Sequence, residues 1–96
     1  MIDLETDQLH IIKNILDTHF PDAEVRVFGS RITGKSKRYS DLDLALVGKD
    51  KLDEKRLDTL KDALSSSELP IQVDVVDWLS LSNSFRKAIS EKYEVL

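Results

Sequence analysis

The run Asp41-Leu42-Asp43-Leu44-Ala45-Leu46-Val47 constrains this chain more than any other stretch. Leu42, Leu44 and Leu46 alternate with Asp43, Ala45 and Val47, the period of a strand with one face in a core. The run closes near Gly48. Asp41 and Asp43 lie two apart, so on a strand they share the face opposite the leucines. Two carboxylates about 4 Å apart repel by roughly 4 kcal/mol at an effective dielectric of 20. A pair anchored at the head of a buried strand therefore asks for a cation between its members. With oxygen donors and neither His nor Cys beside them, the ion expected is hard, Mg²⁺ or Mn²⁺.

The residues just upstream add an anion grip. They read Gly29-Ser30-Arg31-Ile32-Thr33-Gly34-Lys35-Ser36-Lys37-Arg38-Tyr39-Ser40. Gly29 lets the backbone turn sharply and approach an anion. Ser30 offers a hydroxyl and an N–H near the start of a helical turn, where anions are favoured. Arg31, Lys35, Lys37 and Arg38 form a cation cluster with no acid among them, suited to the phosphates of a small ligand. Ser40, directly ahead of Asp41, joins Gly29, Ser30 and Arg31 as an expected nucleotide-binding residue. Gly29, Gly34 and Lys35 have the spacing of a Walker A loop, but no hydrophobic helix follows Ser36, so that fold is not expected. Turn, cations and carboxylate pair are the parts needed to hold a nucleoside triphosphate with its Mg²⁺.

Bulk properties bound the rest. At 96 residues the chain is expected to form one domain over 1–96. Its net charge of −4 argues against nucleic-acid binding of the basic kind, so the local cations suggest a small anion instead. No apolar run reaches the ~20 residues of a membrane span, and the acidic start is unlike a signal peptide. With no cysteine there are neither disulfides nor thiolate sites, which fits a cytoplasmic setting.

Leu9, Ile12 and Leu16 recur at helical spacing, predicting a helix over about 4–19 that Phe20-Pro21-Asp22 stops. Glu24 to Phe28 reads as a strand ending at Gly29. Leu57, Leu60 and Leu64 predict a helix over about 53–66, and Ile71, Val73 and Val75 a third strand. A last helix is expected over about 80–91, then a short tail, Tyr93 to Leu96. The class is α/β or α+β around a three-stranded sheet. Asp74 is out of phase with Val73 and Val75, so it leaves the core face; beside Asp41 and Asp43 it would complete a three-carboxylate platform able to carry two metals. Asp77 reads as the N-cap of the last helix. His10 and His19 read as surface residues, and Trp78 as core or interface.

Gly-Ser, ten residues, Asp-x-Asp, then a single Asp on a later strand resembles the nucleotidyltransferase superfamily of DNA polymerase beta. Within it, the chain is similar to the minimal nucleotidyltransferases, the MntA-type antitoxins encoded beside HEPN-domain (HepT) toxins. The likeness covers nearly the whole chain, including Val73-Asp74-Val75-Val76-Asp77 and the close from Phe85 to Leu96. It implies an αβαβαβα core with a mixed sheet. It implies that Asp41 and Asp43 bind two Mg²⁺ ions, that Asp74 binds one and helps deprotonate the acceptor, and that Gly29 and Ser30 hold the triphosphate. The activity implied is transfer of AMP from ATP to a tyrosine of the HEPN RNase, silencing it. Larger relatives carry an acceptor-binding domain for which this chain has no room, so the acceptor is expected on another protein. Two other readings are neutralisation of the toxin by complex formation alone, and a small-molecule transferase of the aminoglycoside-modifying type. Members often have a basic residue where this chain has Thr33, which shifts the expected phosphate contacts to Arg31 and Lys35.

Overall fold

A computed structural model describes residues 2–37 and 40–96. Helix α1, Thr6–His19, buries Ile12 and Leu16 from one stripe and ends where the Phe20 N–H donates to the Leu16 carbonyl at 2.7 Å. Strand β1, Glu24–Phe28, buries Val25 and Val27 and turns Arg26 and Phe28 to the other face. A single helical turn follows (α2, Ser30–Thr33), then strand β2, Leu42–Val47. Helix α3, Glu54–Ser65, starts at Asp53, whose Oδ1 accepts from the N–H groups of Lys55 (2.8 Å) and Arg56 (3.3 Å). Strand β3 (Val73–Asp77), a 3-10 turn (Trp78–Ser80), helix α4 (Asn83–Glu91) and strand β4 (Glu94–Val95) complete the order.

The sheet order is β3-β2-β1-β4. β1 is antiparallel to both β2 and β4, whereas β3 runs parallel to β2, with α3 in the crossover. One face carries Val25, Val27, Leu42, Leu44, Leu46 and Val75 into a core closed by Ile12 and Leu16 of α1 and Leu60 and Leu64 of α3. Burying each of these side chains is worth roughly 1.5–3 kcal/mol, the main return for ordering so short a chain. The second face carries Arg26, Phe28, Asp43 and Asp74. There Phe85 of α4 meets Phe28 edge to face at 6.0 Å, and the Arg26 guanidinium lies over Trp78 (4.6 Å) and Tyr93 (4.9 Å).

Three expectations are corrected. The sheet has a fourth strand: the expected tail pairs with β1, Glu94 opposite Val27 and Val95 opposite Arg26, and the Leu96 N–H donates to the Val25 carbonyl at 2.9 Å. An unpaired edge of β1 recruits it. The last helix is also split, because two capping residues compete for its start. Asp77 caps the 3-10 turn and not α4, its Oδ1 accepting from the Leu79 N–H at 3.1 Å, while the Ser82 hydroxyl caps α4 by accepting from the Phe85 N–H at 3.1 Å. The second oxygen of buried Asp77 accepts from the Leu52 N–H at 3.0 Å, tying the α3 approach to the end of β3. Trp78 is half-buried against Arg26.

Candidate active site

The second sheet face gathers the carboxylates by register. Parallel pairing sets Asp43 directly beside Asp74, just as Leu44 lies beside Val75 on the core side. Antiparallel pairing sets Phe28 directly across from Asp43, so the turn after β1 opens at the carboxylate. β2 begins at Leu42, which leaves Asp41 exposed immediately ahead of it; Asp43 and Asp74 are half-buried.

Gly29 makes the close approach possible. Its backbone (φ 84°, ψ −158°) lies where side chains are not accommodated, and a Cβ there would run into Oδ2 of Asp43. Only glycine lets the turn touch that carboxylate. The Gly29 carbonyl then accepts from the N–H groups of Ile32 (3.0 Å) and Thr33 (3.1 Å), starting α2, and Gly34 at φ 81° ends it in the left-handed conformation.

Electrostatics single out Asp43. Burial, then the charge of Asp74, then that of Asp41, hold its carboxyl above the ordinary Asp range. Charge crowding on an all-oxygen donor set is what a divalent ion would relieve, so the residues present fit Mg²⁺. Among the described residues, no three acidic side chains are already gathered as a metal cluster. Oδ1 of Asp74 accepts from the Gln72 side-chain amide at 2.8 Å, a partner for which an ion at that oxygen would compete.

Arg31, an expected nucleotide-binding residue, lies in α2. Its side chain is buried, with Nη1 donating to the Asp3 carbonyl at 2.7 Å, and Nε and Nη2 donating to the Ser40 carbonyl at 3.1 and 2.9 Å. These donors are thus directed at backbone carbonyls. Ser40 is half-buried; its hydroxyl accepts from the Lys37 N–H at 2.7 Å. Lys35 and Lys37 are exposed, and Arg38 of the expected cation cluster lies outside the described residues. His10 is exposed on α1, while His19, half-buried, accepts at its carbonyl from Arg56.

Two contributors escaped the sequence reading. Gln72 precedes Asp74 by two, a spacing that could have flagged it as a same-face neighbour. Asp3 carries no such signal, because contact with Arg31 depends on the fold. A hollow of about 740 Å³ lined by Phe20, Lys51 and Arg56 lies at the opposite end of β2 and includes none of the three carboxylates.

The chain is similar to several known proteins. The polymerase beta nucleotidyltransferase family profile matches residues 10–96. The probable protein adenylyltransferase MntA of Haemophilus influenzae is 45% identical over 95 residues, spanning 99% of this chain and 83% of that protein. A crystal structure of a toxin–antitoxin with AMP-PNP is similar with a TM-score of 0.76 at 29% identity, over 90% of this chain and 69% of that one. A tri-AMPylated Shewanella oneidensis HEPN toxin in complex with MNT antitoxin is similar with a TM-score of 0.66 at 25% identity, over 92% of this chain and 70% of that one. The chain belongs to the polymerase beta nucleotidyltransferase family.

Proposed function

We propose that this protein is a Mg²⁺-dependent adenylyltransferase that moves AMP from ATP to a tyrosine of a HEPN-type RNase toxin, and so acts as its antitoxin. The observation that carries the reading is the register of Asp43 beside Asp74, with the Gly29 turn touching Asp43. The likeness to MntA and to toxin–antitoxin complexes, one with AMP-PNP and one with an AMPylated toxin, supports the substrate and the partner.

In this reading Gly29 and Ser30 seat the triphosphate and orient its α-phosphorus toward the carboxylates. The tyrosine oxygen forms a bond to that phosphorus, the bond to the bridging oxygen breaks, and pyrophosphate leaves. Asp74 receives the phenolic proton. Asp41, Asp43 and Asp74 would hold Mg²⁺, which supplies positive charge at the α-phosphate and at the leaving pyrophosphate. Asp41 is exposed and Asp43 and Asp74 only half-buried, which suits an acceptor presented by another protein.

Incubation of the purified pair with Mg²⁺ and ATP labelled in the α-phosphate tests this. Label is expected on the toxin, absent with Phe in place of its acceptor Tyr, and lost when Asp41→Asn and Asp43→Asn are combined. A toxin that stays unlabelled overturns the enzymatic reading. Full suppression of the RNase by an antitoxin lacking all three carboxylates would replace it by binding alone.

A further inference from the structure

Arg31 is a charged residue held inside the protein, 6% exposed. On one side it follows Ser30; on the other, its guanidinium grips the Ser40 carbonyl through two N–H groups. That carbonyl belongs to the peptide leading into Asp41. A further N–H reaches the Lys37 carbonyl at 3.5 Å. A planar guanidinium with several fixed donors suits this task, which a lysine with one mobile ammonium does not.

The grip is anchored from a distant part of the sequence. Arg31 Nη1 donates to the Asp3 carbonyl at 2.7 Å, and the Asp3 N–H donates back to the Arg31 carbonyl at 2.9 Å. The Ser36 hydroxyl also donates to the Asp3 carboxylate. Ile2 and Leu4, on either side of Asp3, pack against the core. The N-terminal arm, α2 and the loop before β2 therefore meet in one joint.

We propose that Arg31 is a positioning residue, and that the Asp3–Arg31–Ser40 joint fixes Asp41 at a set separation from Ser30. This deepens the functional reading above and rests on it for the metal role of Asp41. Phosphate charge is then left to other groups, and Arg31 acts through the loop it holds. Residues that orient metal ligands from behind typically change metal affinity about 10–100-fold when altered.

The test compares wild type, Arg31→Lys and Ser36→Ala, with Arg26→Ala as a control that loosens the fold without touching the Asp3–Arg31–Ser40 joint. Amide hydrogen exchange is read on the metal-free chain, and Mn²⁺ affinity without nucleotide by electron paramagnetic resonance. Arg31→Lys is expected to speed exchange at Ser40 and Asp41 and to weaken Mn²⁺ binding by about 10-fold or more. Ser36→Ala, which removes a half-buried hydroxyl and leaves the core intact, is expected to do both to a smaller extent. Arg26→Ala should leave Mn²⁺ affinity unchanged. Unaltered exchange and Mn²⁺ affinity in Arg31→Lys, with AMP-PNP binding lost, would make Arg31 a phosphate ligand and overturn the proposal. Exchange judges the joint even if wild type bound no Mn²⁺, a result that would count against the functional reading instead.

Discussion

Asp43 and Asp74 are register partners on parallel neighbouring strands, and the negative charge of Asp74 helps hold the Asp43 carboxyl above its ordinary range. The sheet thus keeps together two groups that repel each other. Burial is the larger cause of the shift, and Asp41 adds a smaller part.

That relationship has a sign. A carboxyl whose pKa is raised on folding favours the protonated form. Its contribution is fully present below the unfolded Asp value of about 3.9 and is lost as pH rises through the folded value. At neutral pH without metal, ionisation of Asp43 therefore opposes folding. Asp43→Asn is expected to raise the metal-free melting temperature at pH 7 by about 1–4 °C while abolishing transfer. The gain should shrink below the unfolded Asp value, and scanning fluorimetry across pH checks it. Added Mg²⁺ should stabilise wild type and leave the variant unmoved.

Gly29 separates backbone strain from site damage. Gly29→Ala places a side chain at φ 84° and ψ −158°, at a cost of about 1–3 kcal/mol. The new Cβ must also push the Asp43 carboxylate aside. Urea unfolding should report the loss of stability. Labelled transfer, measured where the variant remains folded, should fall by at least 10-fold, near 1.4 kcal/mol of barrier.

Gln72 holds Asp74 through a hydrogen bond at an exposed position. Such a bond is worth about 0.5–1.5 kcal/mol net, and it competes with an ion that enters at the same oxygen, Oδ1. Gln72→Ala is expected to tighten Mn²⁺ binding by roughly 2–10-fold, with no loss of thermal stability beyond a degree or two. Titration followed by paramagnetic resonance is the measurement.

Arg26 lies over two aromatic rings from different parts of the chain, Trp78 after β3 and Tyr93 before β4. Arg26→Ala should cost about 1–3 kcal/mol and shift Trp78 fluorescence to the red as the indole gains water. Arg26→Lys should recover part of both effects.

Much of this architecture is legible in the residues. The alternation around Leu42, Leu44 and Leu46 marks a strand because burial on one face imposes a period of two. Ile12 with Leu16, and Leu60 with Leu64, mark helices for the same reason at a period of 3.6. A two-residue strand such as Glu94–Val95 has no period to detect; the open edge of β1 makes it a strand. Asp77 and Ser82 are both good capping residues, and only the path of the backbone decides which of them starts the last helix. Arg31 shows its charge in the sequence but not its destination. Backbone carbonyls, which every residue has, leave no trace there.

The parallel pairing of β2 with β3 carries a consequence for how activity returns after denaturation. A parallel neighbour can be reached only by a long crossover, here through α3, and closing such a loop is among the slower events in folding. Asp43 and Asp74 come together in that same event. A refolding chain would regain helix signal before it could bind a divalent ion at the sheet, and metal affinity would mark the arrival of the native topology.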